Sequence, residues 1–96
     1  MDSLKRLKTI LKEKNVLIDT DRFIDALAER DLISLPREME LKKIVTYAEK
    51  VDDVFFTLFQ TNPHITFPGV EEILKRMERG DILSKLQETQ GQFIQS

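Results

Sequence analysis

Val51-Asp52-Asp53-Val54-Phe55-Phe56-Thr57-Leu58-Phe59 places Val51, Val54, Phe55, Leu58 and Phe59 at i, i+3, i+4, i+7 and i+8. A helix gathers these five onto one buried stripe, whereas a half-buried strand would alternate at every second residue. Burial of five such side chains contributes on the order of 10 kcal/mol before conformational entropy is subtracted. The segment is therefore expected to be a helix and the spine of the core.

Upstream, Leu4, Leu7 and Leu11 share one face with Ile10 beside them. A first helix is expected from Leu4 to Lys14, and Val16-Leu17-Ile18 reads as a further bent turn of it. Asp19 or Thr20 caps the second helix by accepting from free backbone N–H groups. Phe23, Ile24 and Leu27 face inward until that helix stops near Asp31. Ser34-Leu35-Pro36 opens a third, shorter helix, with Pro36 in the first turn where its missing N–H is harmless. Met39, Leu41, Ile44 and Val45 are its apolar residues.

Downstream, Asn62-Pro63 is expected to end the fourth helix and Pro68-Gly69 to delay the next. The fifth helix carries Val70, Ile73, Leu74 and Met77, and Gly80 closes it. Asp81 caps a short sixth helix with Ile82, Leu83 and Leu86 inward. From Gln87 to Ser96 the chain turns polar and Gln-rich, with Phe93 and Ile94 as its apolar anchors. A single domain over residues 1–88 and a frayed polar tail over 89–96 are expected. Six short amphipathic helices with tight connections predict an all-α fold, a compact six-helix antiparallel bundle.

With 96 residues, 41% hydrophobic and 33% charged, the composition is that of one soluble globular domain. No apolar run spans a bilayer, so no membrane partner is expected. Met1-Asp2-Ser3-Leu4-Lys5-Arg6 has no apolar signal-peptide core and the sequence has no cysteine; a cytoplasmic location fits both. The formal net charge of −2 argues against nucleic acid, because phosphate binding draws on an excess of Lys and Arg.

Residues that carry chemistry are sparse. His64 is the only histidine, and no Cys or second His exists to complete a metal site with it. Ser3, Ser34, Ser84 and Ser96 sit outside any nucleophile elbow, and the three glycines are too dispersed for a phosphate loop. Asp52-Asp53 and Glu71-Glu72 lie near expected helix N-termini, where the helix dipole stabilises negative charge without any catalytic role. No enzyme activity, metal or cofactor is expected.

The charges are segregated. Lys5, Lys8 and Lys12 fall at i, i+3, i+7 on the first helix, with Arg6 and Lys14 nearby and Asp2 and Glu13 opposing. Asp21, Asp25 and Glu29 fall at i, i+4, i+8 on the second, flanked by Asp19 and Asp31 and followed by Glu38 and Glu40. Like charges at this spacing cost a few tenths of a kcal/mol per pair in an isolated helix. One reading is a solvated surface softened by Arg22 and Arg30. The other is a basic face and an acidic face by which two molecules dock, leaving complementary faces free to propagate the contact.

Phe23-Ile24-Asp25-Ala26-Leu27-Ala28-Glu29-Arg30-Asp31-Leu32-Ile33-Ser34 resembles the second helix and following turn of caspase-recruitment domains. Glu49 to Gln60 resembles their fourth helix, and Phe67 with Val70 to Leu74 holds places comparable to the start of their fifth. Helix order and spacing match from Leu4 to Leu86, with Asn62-Pro63 and Pro68-Gly69 departing from the pattern. The resemblance implies a death-fold (Greek-key) bundle with a bent first helix. It also implies homotypic recruitment of caspase, adaptor or sensor partners, and of itself, in apoptotic or innate-immune signalling, as an oligomer or filament. On that basis Lys5, Lys8, Lys12 and Lys50 make the basic surface, and Asp21, Asp25, Glu29 and Glu40 the acidic one. Glu40 to Ile44 also resembles pyrin domains, and Ile73 to Leu86 the closing helices of pyrin and death-effector domains. A helix-turn-helix DNA-binding regulator is a further alternative, for which the third helix, with Glu38 and Glu40 beside Lys42 and Lys43, is a poor recognition helix.

Overall fold

The apolar stripe that opens at Val51 forms α4, Tyr47–Phe59, and its Val51, Val54, Phe55 and Leu58 are buried. Phe59 is the exception, 40% exposed at the helix end. At about 100° per residue it lies about 90° from the centre of the other four, so its ring rests on the rim, 6.2 Å from the Phe55 ring. A computed structural model describes the backbone of residues 2–61 and 63–95 and the side chains of residues 3–61 and 64–88. Within it the chain is all-helical: α1 (Asp2–Leu11), α2 (Thr20–Glu29), α3 (Leu35–Lys42), α4, α5 (Pro63–Arg76) and α6 (Gly80–Gln95).

The local signals at α2 and α3 operate as the sequence predicts. Asp19 is the N-cap of α2, its side chain accepting from the Arg22 N–H at 3.2 Å. Ser34 caps α3 in the same way through Arg37, with Pro36 in the first turn. α3 stops at Lys42, so Ile44 and Val45 fall beyond it, and Val45 is 94% exposed. α2 ends in a Schellman motif, with Leu32 N–H on Leu27 O and Asp31 N–H on Ala28 O, both at 3.0 Å. Asp31 holds the left-handed position there, at φ 59°.

The expected bent turn after α1 does not form. α1 stops at Leu11, and Val16 and Ile18 point inward while Leu17 points out, an alternation proper to extended chain. Tethers hold the segment open. The Tyr47 hydroxyl donates to Leu11 O at 2.8 Å and accepts from Ile18 N–H at 3.3 Å, and Arg79 Nη1 donates to Leu17 O.

Two further expectations are corrected in the C-terminal half. α5 begins at Pro63, not at Val70, and runs through Pro68. Pro68 is exposed, and its missing N–H costs the helix a single internal hydrogen bond. Gly69 lies against the α2–α3 connection, where a Cβ would meet Leu32 Cδ1 at 2.9 Å. Gly80 opens α6 and does not close α5; the closing residue is Glu78, at φ 61°, again in a Schellman arrangement with Arg79 N–H on Leu74 O at 2.9 Å. Asp81 accordingly sits within the first turn of α6. The α6 backbone extends to Gln95, well past Leu86. Asn62 and Ser96, and the Phe93 and Ile94 side chains, lie outside the described residues.

α4 and α5 occupy the middle of the bundle. α1 packs on α4, α5 and α6, and α2 packs on α3, α4 and α5, while α1 and α2 do not pack on each other. One core joins all six helices, from Leu4 and Leu7 through Leu27, Leu41 and Phe55 to Leu74 and Leu86. The radius of gyration, 12.9 Å, is close to the value of about 12.5 Å for one compact domain of this length. Among the described residues no helix is long and apolar enough to cross a membrane.

Candidate docking surface

The leucine face of α1 is buried, which turns the lysine row outward beside α4. Lys5 is exposed and has no ion-pair partner among the described residues. Lys8 and Lys12 converge instead on a single oxygen: Asp52 Oδ1 on α4 accepts from Lys12 Nζ at 2.7 Å and lies 3.4 Å from Lys8 Nζ. Their ammonium groups, Lys12 foremost, hold the Asp52 carboxyl below its ordinary range against the opposing pull of desolvation. Lys8 also stands 6.0 Å from the centroid of the Phe59 ring, a cation–π contact.

Lys50 occupies a different setting. Its residue is only 8% exposed, with the stem in the core and Nζ 3.0 Å from Asp21 Oδ1. A lysine assigned to the basic surface and an aspartate assigned to the acidic one are thus joined to each other, across α4 and α2. Asp25 is bonded to Lys42 on α3, and Lys42 is also 3.6 Å from Glu38. The Lys42 contact holds the Asp25 carboxyl low and pushes the Lys42 ammonium up. Glu40 lies 3.4 Å from Arg37 Nη1, whose Nε donates to Thr57 Oγ1 at 2.8 Å. Glu29 is exposed and has no ion-pair partner among the described residues.

The two rows therefore lie on separate flanks of the bundle, α1 on one and α2 with α3 on the other. On each flank part of the charge is neutralised internally, and one end, Lys5 or Glu29, has no ion pair among the described residues. An open groove of about 560 Å³ runs between α2 and α5, lined by Asp25 and Glu29 together with Arg22, Arg30, Arg76 and Met77.

Asp52 is legible in the sequence as a charge that weakens the basic side, but its pairing with Lys8 and Lys12 is not, nor is that of Lys42 with Asp25, since each pair crosses a helix interface. Phe56 on α4 and Leu35 on α3 are exposed, and so is Met39, which the sequence grouped with Leu41 as an apolar residue of the third helix. These were readable: Phe56 is displaced from the Val51 stripe by about 140°, and Leu35 and Met39 share a face opposite Leu41. Among the described residues no three His, Cys, Asp or Glu side chains gather as a metal site. No protein-family model, curated protein or solved structure matches this chain.

Proposed function

We propose that this chain is a non-catalytic docking module of the caspase-recruitment type. In this reading the bundle is antiparallel with the death-fold order, works in the cytoplasm, and recruits caspase, adaptor or sensor domains like itself in apoptotic or innate-immune signalling. The observation that carries it is the separation of sign: a basic row on α1 and an acidic row on α2, two helices whose backbones make no close approach. A contact between unlike faces of two copies leaves one face of each unused, so it adds further copies until the partners are exhausted. Opposed potentials steer the encounter and set its register, which suits a recruitment module.

The internal ion pairs are compatible with this role. Exposed pairs are worth about 0–1 kcal/mol each, so Lys8, Lys12, Asp25 and Glu40 can trade an internal partner for an external one at little cost, whereas buried Lys50 stays with Asp21. Lys5→Glu and Glu29→Lys are the sharpest tests, because both positions are exposed and neither charge is held in an ion pair among the described residues. Each is expected to abolish self-association measured by light scattering while leaving far-ultraviolet helicity unchanged. Mixing the two variants is expected to restore a dimer, through the one wild-type face each retains. If both variants associate as the parent does, the charge rows are not the interface.

A further inference from the structure

Asp52 has the wrong sign for the flank it occupies. It projects from α4 into a lysine row, and its Oδ1 holds Lys12 at 2.7 Å and Lys8 at 3.4 Å. Both lysines are surface residues, and Asp52 is itself partly exposed, so water reaches the whole cluster. One carboxylate oxygen satisfying two cations is what a partner's acidic residue would do at the same place.

We infer that Asp52 is an internal stand-in for the partner: in the free molecule it holds the lysine site that the acidic α2 row of a second copy takes on docking. The inference rests on the docking reading above and adds how the basic face is kept from engaging weak or wrong partners. The occupant is a second copy on grounds of complementarity. Lys5, Lys8 and Lys12 span seven residues, about 10 Å of helix rise, and Asp21, Asp25 and Glu29 span eight, about 12 Å, so the rows match in length and oppose in sign. Glu29, which has no ion-pair partner among the described residues, is the carboxylate that can approach first.

Docking then proceeds as an exchange of carboxylates at Lys8 and Lys12. Asp52, Phe56 and Phe59 stand at i, i+4 and i+7, and Phe56 is 59% exposed. A helix that displaces Asp52 from the lysines is carried over these two rings. Charge supplies the steering and the aromatic surface supplies the contact area.

The test compares Asp52→Asn with Asp53→Asn. Asp53 is the next residue, exposed and without an ion-pair partner among the described residues, so both variants change net charge equally. Two readouts are taken: self-association by sedimentation at low salt, and the acylation rates of Lys5, Lys8 and Lys12 by mass spectrometry. Asp52→Asn is expected to raise acylation at Lys8 and Lys12 but not Lys5, and to associate at a concentration lower by about tenfold. Asp53→Asn is expected to match the parent in both. Lys8→Gln with Lys12→Gln, added to Asp52→Asn, is expected to cancel the gain.

Equal gains from the two Asn variants overturn the inference and leave the docking reading standing, since charge alone would explain them. Weaker association of Asp52→Asn also overturns it, because Asp52 would then belong to the interface. If neither the parent nor any variant associates, the docking reading fails and takes this inference with it, even where the acylation pattern shows the lysine clamp released.

Discussion

Asp31 and Glu78 hold positions that usually go to glycine. Each takes the left-handed conformation that closes a helix, at φ 59° and φ 61°. An L residue with a Cβ loses about 1–2 kcal/mol in that region, with Asp and Asn the most tolerant. Glu78 has the longer side chain and no such tolerance. Glu78→Gly is therefore expected to raise unfolding stability by about 1 kcal/mol in urea denaturation, after the entropic cost of the added glycine, and Asp31→Gly by less. Asp31 stands where the sequence ends the second helix, but Glu78 was not recognisable as a helix closer, because the glycine that fits the pattern, Gly80, lies two residues beyond it and opens the next helix. Among the site residues the lysine and acidic rows could be read directly, since helix spacing alone sets them. Asp52 could not be assigned to Lys12, 40 residues away, before α1 and α4 were packed together.

At the scale of elements, the helices whose limits were legible are those with a local device at the boundary: Asp19 for α2 and Ser34 with Pro36 for α3. α5 was misjudged because Pro68-Gly69 resembles a stop, while packing lets the helix pass through both. Pro68 faces solvent, and Gly69 gives Leu32 the room that a larger residue would take. The segment after α1 was misjudged for a related reason. Val16-Leu17-Ile18 has no helical partner face, and its conformation is set by groups far along the chain, Tyr47 and Arg79. Tyr47 is the hinge pin of that arrangement, bonded at both ends of the connection. Tyr47→Phe keeps the ring and removes both bonds, leaving Leu11 O and Ile18 N–H without it. A loss of about 1–3 kcal/mol is expected, with faster hydrogen exchange at the Ile18 amide and little change at α2. Uniform acceleration across the bundle would mean the tether is not local.

Over the whole molecule the charges act as cross-braces between helices, and their direction of shift fixes how stability answers to pH. Asp52 joins α4 to the lysines of α1, Asp25 joins α2 to α3, and Asp81 pairs with Arg79 at the start of α6. All three carboxyls are held below the ordinary value of 3.8 by hydrogen bonds from their cationic partners. Their unfolded counterparts bind protons at higher pH, so the stability they contribute is present above about pH 3.8 and is lost as pH falls through the lowered values. At the other end, burial pushes the Tyr47 phenol above 10.0, and the Asp25 contact pushes Lys42 above 10.5. Their contributions are complete below those values and decline as pH rises past them, because the folded state keeps its protons longer than the unfolded chain does. Thermal unfolding followed by circular dichroism is thus expected to show a plateau between the two limbs. The braces are largely exposed, so both limbs should be shallow and flatten in high salt, which screens surface pairs. Asp52→Asn is expected to remove part of the acid limb and leave the alkaline limb in place. An acid limb of undiminished depth in that variant would mean that the pairing at Lys8 and Lys12 contributes nothing to holding α1 against α4.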